Sequence, residues 1–508
     1  MTFYGIFFFY IIFWTAVVSP TPILNRRDGP KTKFFDLTIE KATLSPDGFT
    51  RQLSTINGQY PGPTLEVNKG DRIVMKIRNK LGEPTAIHAH GMLQRDTPWF
   101  DGVPWMAQCV IQDNSEFTYN YTVPVEVGTH WYHAHETLQY VDGAFGPLIV
   151  HDPDDPYKSE YDEEIVVMLN DYHHTDAQTL LKQFLTPESQ GVEVRKIDIS
   201  TKGSKCVDNA GLAKFNFVQN KKYRLRIINT SAFSSFLFSI DKHEMEVIEA
   251  DGSYTKRNKI NRLPINVAQR YSVIVTANQP VDNYIMRSEF QKKCMPKAAA
   301  SLPTVKAIVH YEGAPENSEA KDNPWSDSLA ECVDLDHDTL QPFKEEKVPA
   351  STKKMEFTIG FHKNSTGVVR AFLNESTYIP DINFPTLHKI FKKIPLNDPR
   401  ANAFIFDKSG EVVDIYFINT DDGEHPFHIH GYKFWVLGTG SGNKVNEDEL
   451  NTQNPIERDT ATIPPTGWIA WHLESGLLMQ LVTLPDEILK MHPPDEWTKL
   501  CETGERER

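Results

Sequence analysis

Cysteine is scarce in this chain, with five residues among 508, and none of them stands in a CxxC pair. That spacing excludes zinc ribbons and thioredoxin-like dithiols. Positive charge is outweighed, 53 Lys and Arg against 68 Asp and Glu, a formal net charge of −15. A nucleic-acid binder needs a cationic surface to displace counterions, so that class is excluded too. Long amphipathic helices are scarce, and only one long apolar run exists, Phe3 to Val18. Followed by small residues and Ser19-Pro20, it reads as a signal peptide over residues 1–20; an uncleaved N-terminal anchor is the alternative. Once it is cleaved, no membrane insertion is expected, and the protein should be secreted.

Alternation fills the rest. FFDLTIEKATL (from Phe34), RIVMKIRN (from Arg72), YRLRIINT (from Tyr223), YSVIVTAN (from Tyr271) and VVDIYFIN (from Val412) have the period-two pattern of half-buried strands. Asn57-Gly58, Pro61-Gly62 and Asp101-Gly102 punctuate them as turns. The length suggests about three domains of ~150 residues. The fold class is all-β, Greek-key sandwiches or barrels. An acidic stretch from His151 and an irregular one from Gly313 to Thr352 read as linkers. The expected domains are 30–152, 153–312 and 350–508, with the HPPDEWTKLC tail packing back through Cys501. Four N-x-S/T sequons, at Asn120, Asn229, Asn364 and Asn374, are compatible with glycosylation.

Histidine is where the chemistry concentrates. Of 18 His, eight fall in four short stretches: His88 and His90 in HAH, His133 and His135 in HAH, His425, His428 and His430 in HPFHIH, and His472 in WHLESG. In a strand, residues i and i+2 share a face, so each HxH presents two imidazoles side by side. His425 is offset from His428 and His430, so one segment can serve two sites. Imidazole-rich sites suit Cu, Zn, Fe or Ni. Grouped histidines without a metal would repel whenever protonated. His130 and the isolated histidines read as structural. A zinc hydrolase is disfavoured, since neither HExxH nor GxSxG occurs.

HAHGMLQRDTPWFDGVPWMAQC (from His88), GTHWYHAHETLQYVDGAFGPLIV (from Gly128), HPFHIHGYKFWVLG (from His425) and WHLESGLLMQ (from Trp471) resemble the copper signatures of multicopper oxidases, of the fungal laccase-like, ascorbate-oxidase-like and ferroxidase types. The resemblance implies three consecutive cupredoxin-like (plastocyanin-like) domains and four coppers per chain. A type 1 copper would take electrons from a small reducing donor, and a trinuclear cluster between the first and third domains would reduce dioxygen to water. By position, His88 and His428 match type 2 ligands, and His90, His133, His135 and His430 match type 3 ligands. His425 and His472 match the type 1 histidines, and Leu477 falls at the non-ligating axial position. Asp101 matches an acidic residue that orients water near the cluster, or is an ordinary turn aspartate. The implied disulfides are Cys109–Cys501 and Cys294–Cys332, with Cys206 free; basidiomycete-type members would instead pair Cys109 with Cys206. A monomer is expected.

One motif departs. The family's His-Cys-His run, which brings the type 1 thiolate and two type 3 histidines, is missing: RDTATIPPTGW (Arg458 to Trp468) passes directly into IAWHLESGLL (from Ile469). The resemblance places roughly twenty absent residues at that junction, about a strand, a loop and the start of another. A clean gap between intact motifs is the mark of a mis-spliced or mis-predicted reading frame more than of gradual loss. The expected function is a laccase-like oxidase of phenolic or aromatic donors. The alternatives are a ferroxidase using Asp421, Asp422 and Glu424, or an inactive copper-binding protein that lost electron entry with the thiolate.

Overall fold

The computed structural model describes residues 29–187, 211–291, 293–294, 304–316, 318–408, 410–474 and 481–504. Leu477, Cys206 and the proposed signal peptide lie outside the described residues.

Alternation becomes strand burial as the pattern demands. In Arg72–Lys80, Ile73, Met75 and Ile77 are buried, while Val74, Lys76 and Arg78 on the other face are half-buried. This strand pairs parallel with Thr32–Leu44 and antiparallel with Glu116–Thr122. The facing sheet runs in the order Leu65–Asn68, Phe145–His151, Gly128–Ala134, Ile87–His90. Its first pair is parallel and the others antiparallel. Parallel neighbours need a long crossover, so a parallel pair in each otherwise antiparallel sheet is the mark of a closed Greek key.

The same wiring occurs three times. The first strand of the second barrel, Glu163–Leu169, is parallel to Lys222–Asn229, and Lys214–Phe217 is parallel to Val305–Tyr311. In the third barrel, Lys353–Lys363 is parallel to Val412–Asn419, and Phe404–Phe406 to Leu481–Thr483. All-β architecture in three barrels is therefore the observed fold. Among the described residues, no helix is long and apolar enough to cross a membrane.

The third repeat is incomplete. In the first barrel, Gly128–Ala134 lies between Phe145–His151 and Ile87–His90; in the second, Asn283–Phe290 lies between Val305–Tyr311 and Phe236–Ile240. Among the described residues of the third, no strand lies between Leu481–Thr483 and His425–His428, and that sheet is left as two separate pairs. Trp468 and Ile469 both sit inside the strand Gly467–Glu474, opposite Ile418 and Phe417. Residues after the junction thus complete a strand of the other sheet.

The core of the first barrel also takes in Leu387, Ile390, Trp497 and Leu500. The C-terminal helix Asp495–Gly504 is fixed there by Trp497, which is 2% exposed and donates its indole N–H to the Ala107 carbonyl at 2.9 Å. The disulfides Cys109–Cys501 and Cys294–Cys332 are both formed. One sequon is corrected by burial. Asn229 is fully buried and donates both amide hydrogens, to Ser234 and Ile265 carbonyls, so a glycan there does not fit the folded barrel. Asn374 is exposed, and Asn120 and Asn364 are half-buried.

Candidate metal centre

Strand pairing brings the first four histidines together. Ile87–His90 lies antiparallel to Gly128–Ala134 with His88 opposite His133, and His135 follows directly. The third barrel supplies His428, at the end of the strand His425–His428, and His430 just beyond it. The six rings form one cluster: centroids lie 5.4 Å apart for His88 and His133, 4.2 Å for His88 and His430, 5.0 Å for His135 and His430, and 3.6 Å for His90 and His428. Ligand atoms of His88, His428 and His430, and of His88, His90 and His133, come close enough to share an ion. Burial is lopsided. The side chain of His88 is 1% exposed, but those of His428 and His430 are 15% and 20% exposed, on the barrel whose facing sheet is broken.

The hydrogen bonds prepare imidazoles for ligation. Nδ1–H of His88 donates to the Asp101 carbonyl at 2.6 Å, that of His133 to Ala134 at 3.0 Å, and that of His428 to Asp459 at 2.9 Å. Such outward bonds fix the tautomer and leave the Nε2 lone pair bare. Nε2 of His88 and of His428 is buried with no hydrogen-bond partner, a costly arrangement unless a cation supplies one. Burial, reinforced by His430, lowers the pKa of His88; burial and His88 hold His133 well below the usual value, and burial and His430 do the same to His135. Burial also lowers His428, against the pull of Asp459. Neutral imidazole is the ligating form.

Asp101 stands at the cluster. Its carboxylate oxygens lie 3.3 Å from Nδ1 of His88 and 3.2 Å from Nδ1 of His430. Burial opposes its charge, yet His430 and His88 hold its carboxyl far below the carboxylate range. Gly102, at φ +80°, presses its backbone against Ile87, where a Cβ would collide with the carbonyl oxygen. The turn reading and the site reading therefore meet in one residue.

The remaining two histidines do not come together. His425 donates Nε2–H to Asp421 at 3.1 Å, whereas His472 donates Nδ1–H to Asp414 at 2.6 Å beside Trp435. Asp414 and Asn419 bound a stretch of strand that alone spans about 16 Å at ~3.3 Å per residue, and Asp421 lies beyond its far end. The physical reason is the broken repeat: His472 is threaded into Gly467–Glu474 instead of following an interposed strand. Every cysteine among the described residues is in a disulfide, so no thiolate is at hand there. The three acidic candidates disperse: Asp421 holds His425, Asp422 is exposed, and Glu424, pushed up to about 7 by burial, accepts from Ser235. His130 is structural, donating Nε2–H to the Val127 carbonyl.

Sequence reasoning missed Asp459, Thr460, Arg270 and Trp131. Trp131 stacks on His133 at 4.2 Å, and its place between two histidine-bearing positions was the available signal. Arg270 comes from another barrel and carried none.

Three multicopper oxidase family models match, over residues 38–155, 163–314 and 382–471. Laccase-1 of Fomitopsis schrenkii is 33% identical, covering 93% of this chain and 90% of its own. The iron transport multicopper oxidase fetC of Epichloe festucae is 32% identical over 92% and 79%. Among solved structures, Fet3p, a multicopper oxidase described as functioning in iron import, superposes with a TM-score of 0.82 at 28% identity, covering 93% and 95%. The laccase from Botrytis aclada superposes with 0.82 at 26%, covering 94% and 93%. Three cupredoxin-like barrels, a histidine pocket shared by the first and third, and matches along nearly the whole length have one meaning: this chain belongs to the multicopper oxidase family.

Proposed function

We propose that this chain is a secreted copper-binding oxidoreductase in which the dioxygen-side pocket is assembled and the electron-entry site is not. One observation carries the reading: six histidines from the first and third barrels converge, while His425 and His472 part. The donor set fits copper: burial favours the neutral imidazole at His88, His90, His133, His135 and His428, and the Nε2 atoms of His88 and His428 have no competing hydrogen-bond partner. When bound, copper would supply one-electron redox chemistry and dioxygen binding. His88 and His428 would serve as the type 2 pair and His90, His133, His135 and His430 as the type 3 ligands present in the chain. The Asp101 carbonyl holds His88 in place, and its carboxylate keeps a fixed negative charge 3.2 Å from Nδ1 of His430. Two disulfides suit an oxidising compartment.

Donor oxidation of the laccase kind needs the strand and thiolate absent at Trp468–Ile469. For a product of this gene that carries them, phenolic or aromatic donors are the first reading and Fe(II) the second. Purified protein loaded with Cu(II) tests the proposal. Bound copper with a non-blue paramagnetic signal is expected; no uptake, or an intense blue band from the chain as it stands, defeats it. Transcript sequencing across the codons for Trp468 and Ile469 decides whether a strand-bearing product is made.

A further inference from the structure

Resting on the reading of the six-histidine pocket as a copper site, we propose that Arg270 of the second barrel is a positioning residue for it, acting through Asp459 on the rings of His90 and His428. The second barrel contributes no histidine to the pocket, yet this one guanidinium touches all three barrels. It donates Nε–H to the Thr129 carbonyl of the first at 3.0 Å and Nη1–H to Ala268 of the second at 3.2 Å. It grips the Asp459 carboxylate of the third with both prongs, at 2.5 and 2.6 Å. Both side chains are completely buried.

Asp459 and the adjacent Thr460 hold two histidines. Thr460 donates its only hydroxyl proton to Asp459 Oδ1 at 2.9 Å. Its oxygen can then only accept, and Nε2 of His90 and Nδ1 of His428 lie 3.4 and 3.2 Å from it. Asp459 Oδ1 is also 3.5 Å from His90 Nε2, and the Asp459 carbonyl accepts from His428 Nδ1. His90 is thereby turned the opposite way from His88 and His133, with Nε2–H outward and Nδ1 left for a metal. A carboxylate free to rotate would release that choice. The Arg270 fork prevents rotation, which a single ammonium cannot do. Asp251 completes the cradle: it takes the Arg270 backbone N–H at 2.8 Å and pairs with Arg458 at 2.7 Å, so that two buried cations meet two buried anions.

The alternative is that Arg270 merely glues barrels together. Arg270→Lys keeps the charge and loses the fork, and Arg224→Lys is the control. Arg224 is equally buried in the second barrel, paired with Asp155 and Glu249, and bonds to none of the six histidines. Full-length protein is titrated with Cu(II) and its paramagnetic resonance spectrum recorded. Arg270→Lys is expected to weaken copper binding about tenfold or more, the usual effect of removing an outer partner of a ligand, and to alter the copper hyperfine splitting. Arg224→Lys should bind as the wild type does. Asp459→Asn, close to isosteric, should reproduce the Arg270→Lys spectrum and decides the matter if the lysine variant does not fold. Wild-type affinity and spectrum in Arg270→Lys or in Asp459→Asn overturn the proposal, as does an equal loss in Arg224→Lys. Failure of the wild type to take up copper overturns the pocket reading itself, and this inference with it.

Discussion

His90 and His428 stack face to face, with centroids 3.6 Å apart and planes inclined by 20°, although one belongs to the first barrel and the other to the third. Two rings can lie this close when both are neutral; protonating both would set like charges against each other in a buried site. Burial, reinforced by His428, holds His90 well below its usual pKa. The pocket is thus a seam between barrels that excludes protons and leaves nitrogen lone pairs for a cation.

Metal-free protein should lose stability on mild acidification. The folded-state pKa values of His88, His90, His133, His135 and His428 all lie below the unfolded value of ~6.5. Below that pH the unfolded chain takes up protons that the folded pocket refuses, so stability falls from about pH 6.5 down to the depressed values. His173 runs the other way: burial opposes its charge, but Asp171 raises its pKa, and its contribution is fullest at low pH. His130, His243, His388 and His425 are lowered by burial as well, so nine histidines outweigh His173 and the carboxyls that burial raises, Glu136, Asp142 and Glu424, and stability falls on balance. Thermal midpoints between pH 8 and 4.5 check this, and His133→Ala should flatten the slope. An unchanged midpoint across that range would contradict it.

Substitution should separate the two groups of histidines. His428→Ala removes a buried nitrogen that faces its neighbours, and copper affinity should fall by more than tenfold. His472→Ala removes a side chain bonded to Asp414, away from the pocket, and should leave affinity within about twofold while costing ~1–3 kcal/mol of stability by leaving Asp414 unpaired. Equilibrium copper titration and chemical denaturation of both variants read the two effects.

Much of this was legible in the residues themselves. Alternation marked strands such as Arg72–Lys80 because a half-buried strand needs period two, and HxH marked shared faces for the same reason. The family resemblance implied that these pairs meet HPFHIH across barrels, which local periodicity does not encode. Its expectation for His472 is not met, because the strand it presumes is absent among the described residues and residues 471–474 join another sheet. Arg270 and Asp459 were illegible for a different reason: a buried ion pair between barrels leaves no spacing signature, since each partner looks like an ordinary charge in its own strand.

Glycan mapping should find Asn229 bare. Both of its amide hydrogens are committed inside the second barrel, so the nitrogen that would carry sugar never meets the modifying enzyme in folded protein. Asn374, exposed, should be modified when the chain passes through a eukaryotic secretory pathway. Asn229→Gln should destabilise the fold by about 1–3 kcal/mol by leaving Ser234 and Ile265 carbonyls unpaired. Peptide mass spectrometry with and without glycosidase tests the first part; a glycan on Asn229 would contradict the burial.

The C-terminal helix should behave as a clamp on the segment that carries Asp101. Between Asp101 and Cys109 the chain is held from outside at four points. Thr386 and Leu387 donate backbone N–H groups to Trp105 and Met106, Trp497 donates to Ala107, and Cys501 bonds Cys109. The Cys109–Cys501 bridge spans a sequence separation of 392, against 38 for Cys294–Cys332, so in the chain-entropy picture it constrains the unfolded chain more. Replacing both Cys109 and Cys501 with Ser should cost ~2–5 kcal/mol. Trp497→Ala, which empties a buried indole site with the bridge intact, should cost ~3–5 kcal/mol. If the clamp also fixes Asp101, either change should weaken copper binding through His88 and His430, whereas replacing Cys294 and Cys332 with Ser should lower stability and leave copper affinity untouched. Denaturation midpoints and copper titrations on the three variants separate the two roles, and equal copper affinity in all three would show that the helix stabilises the fold without positioning Asp101.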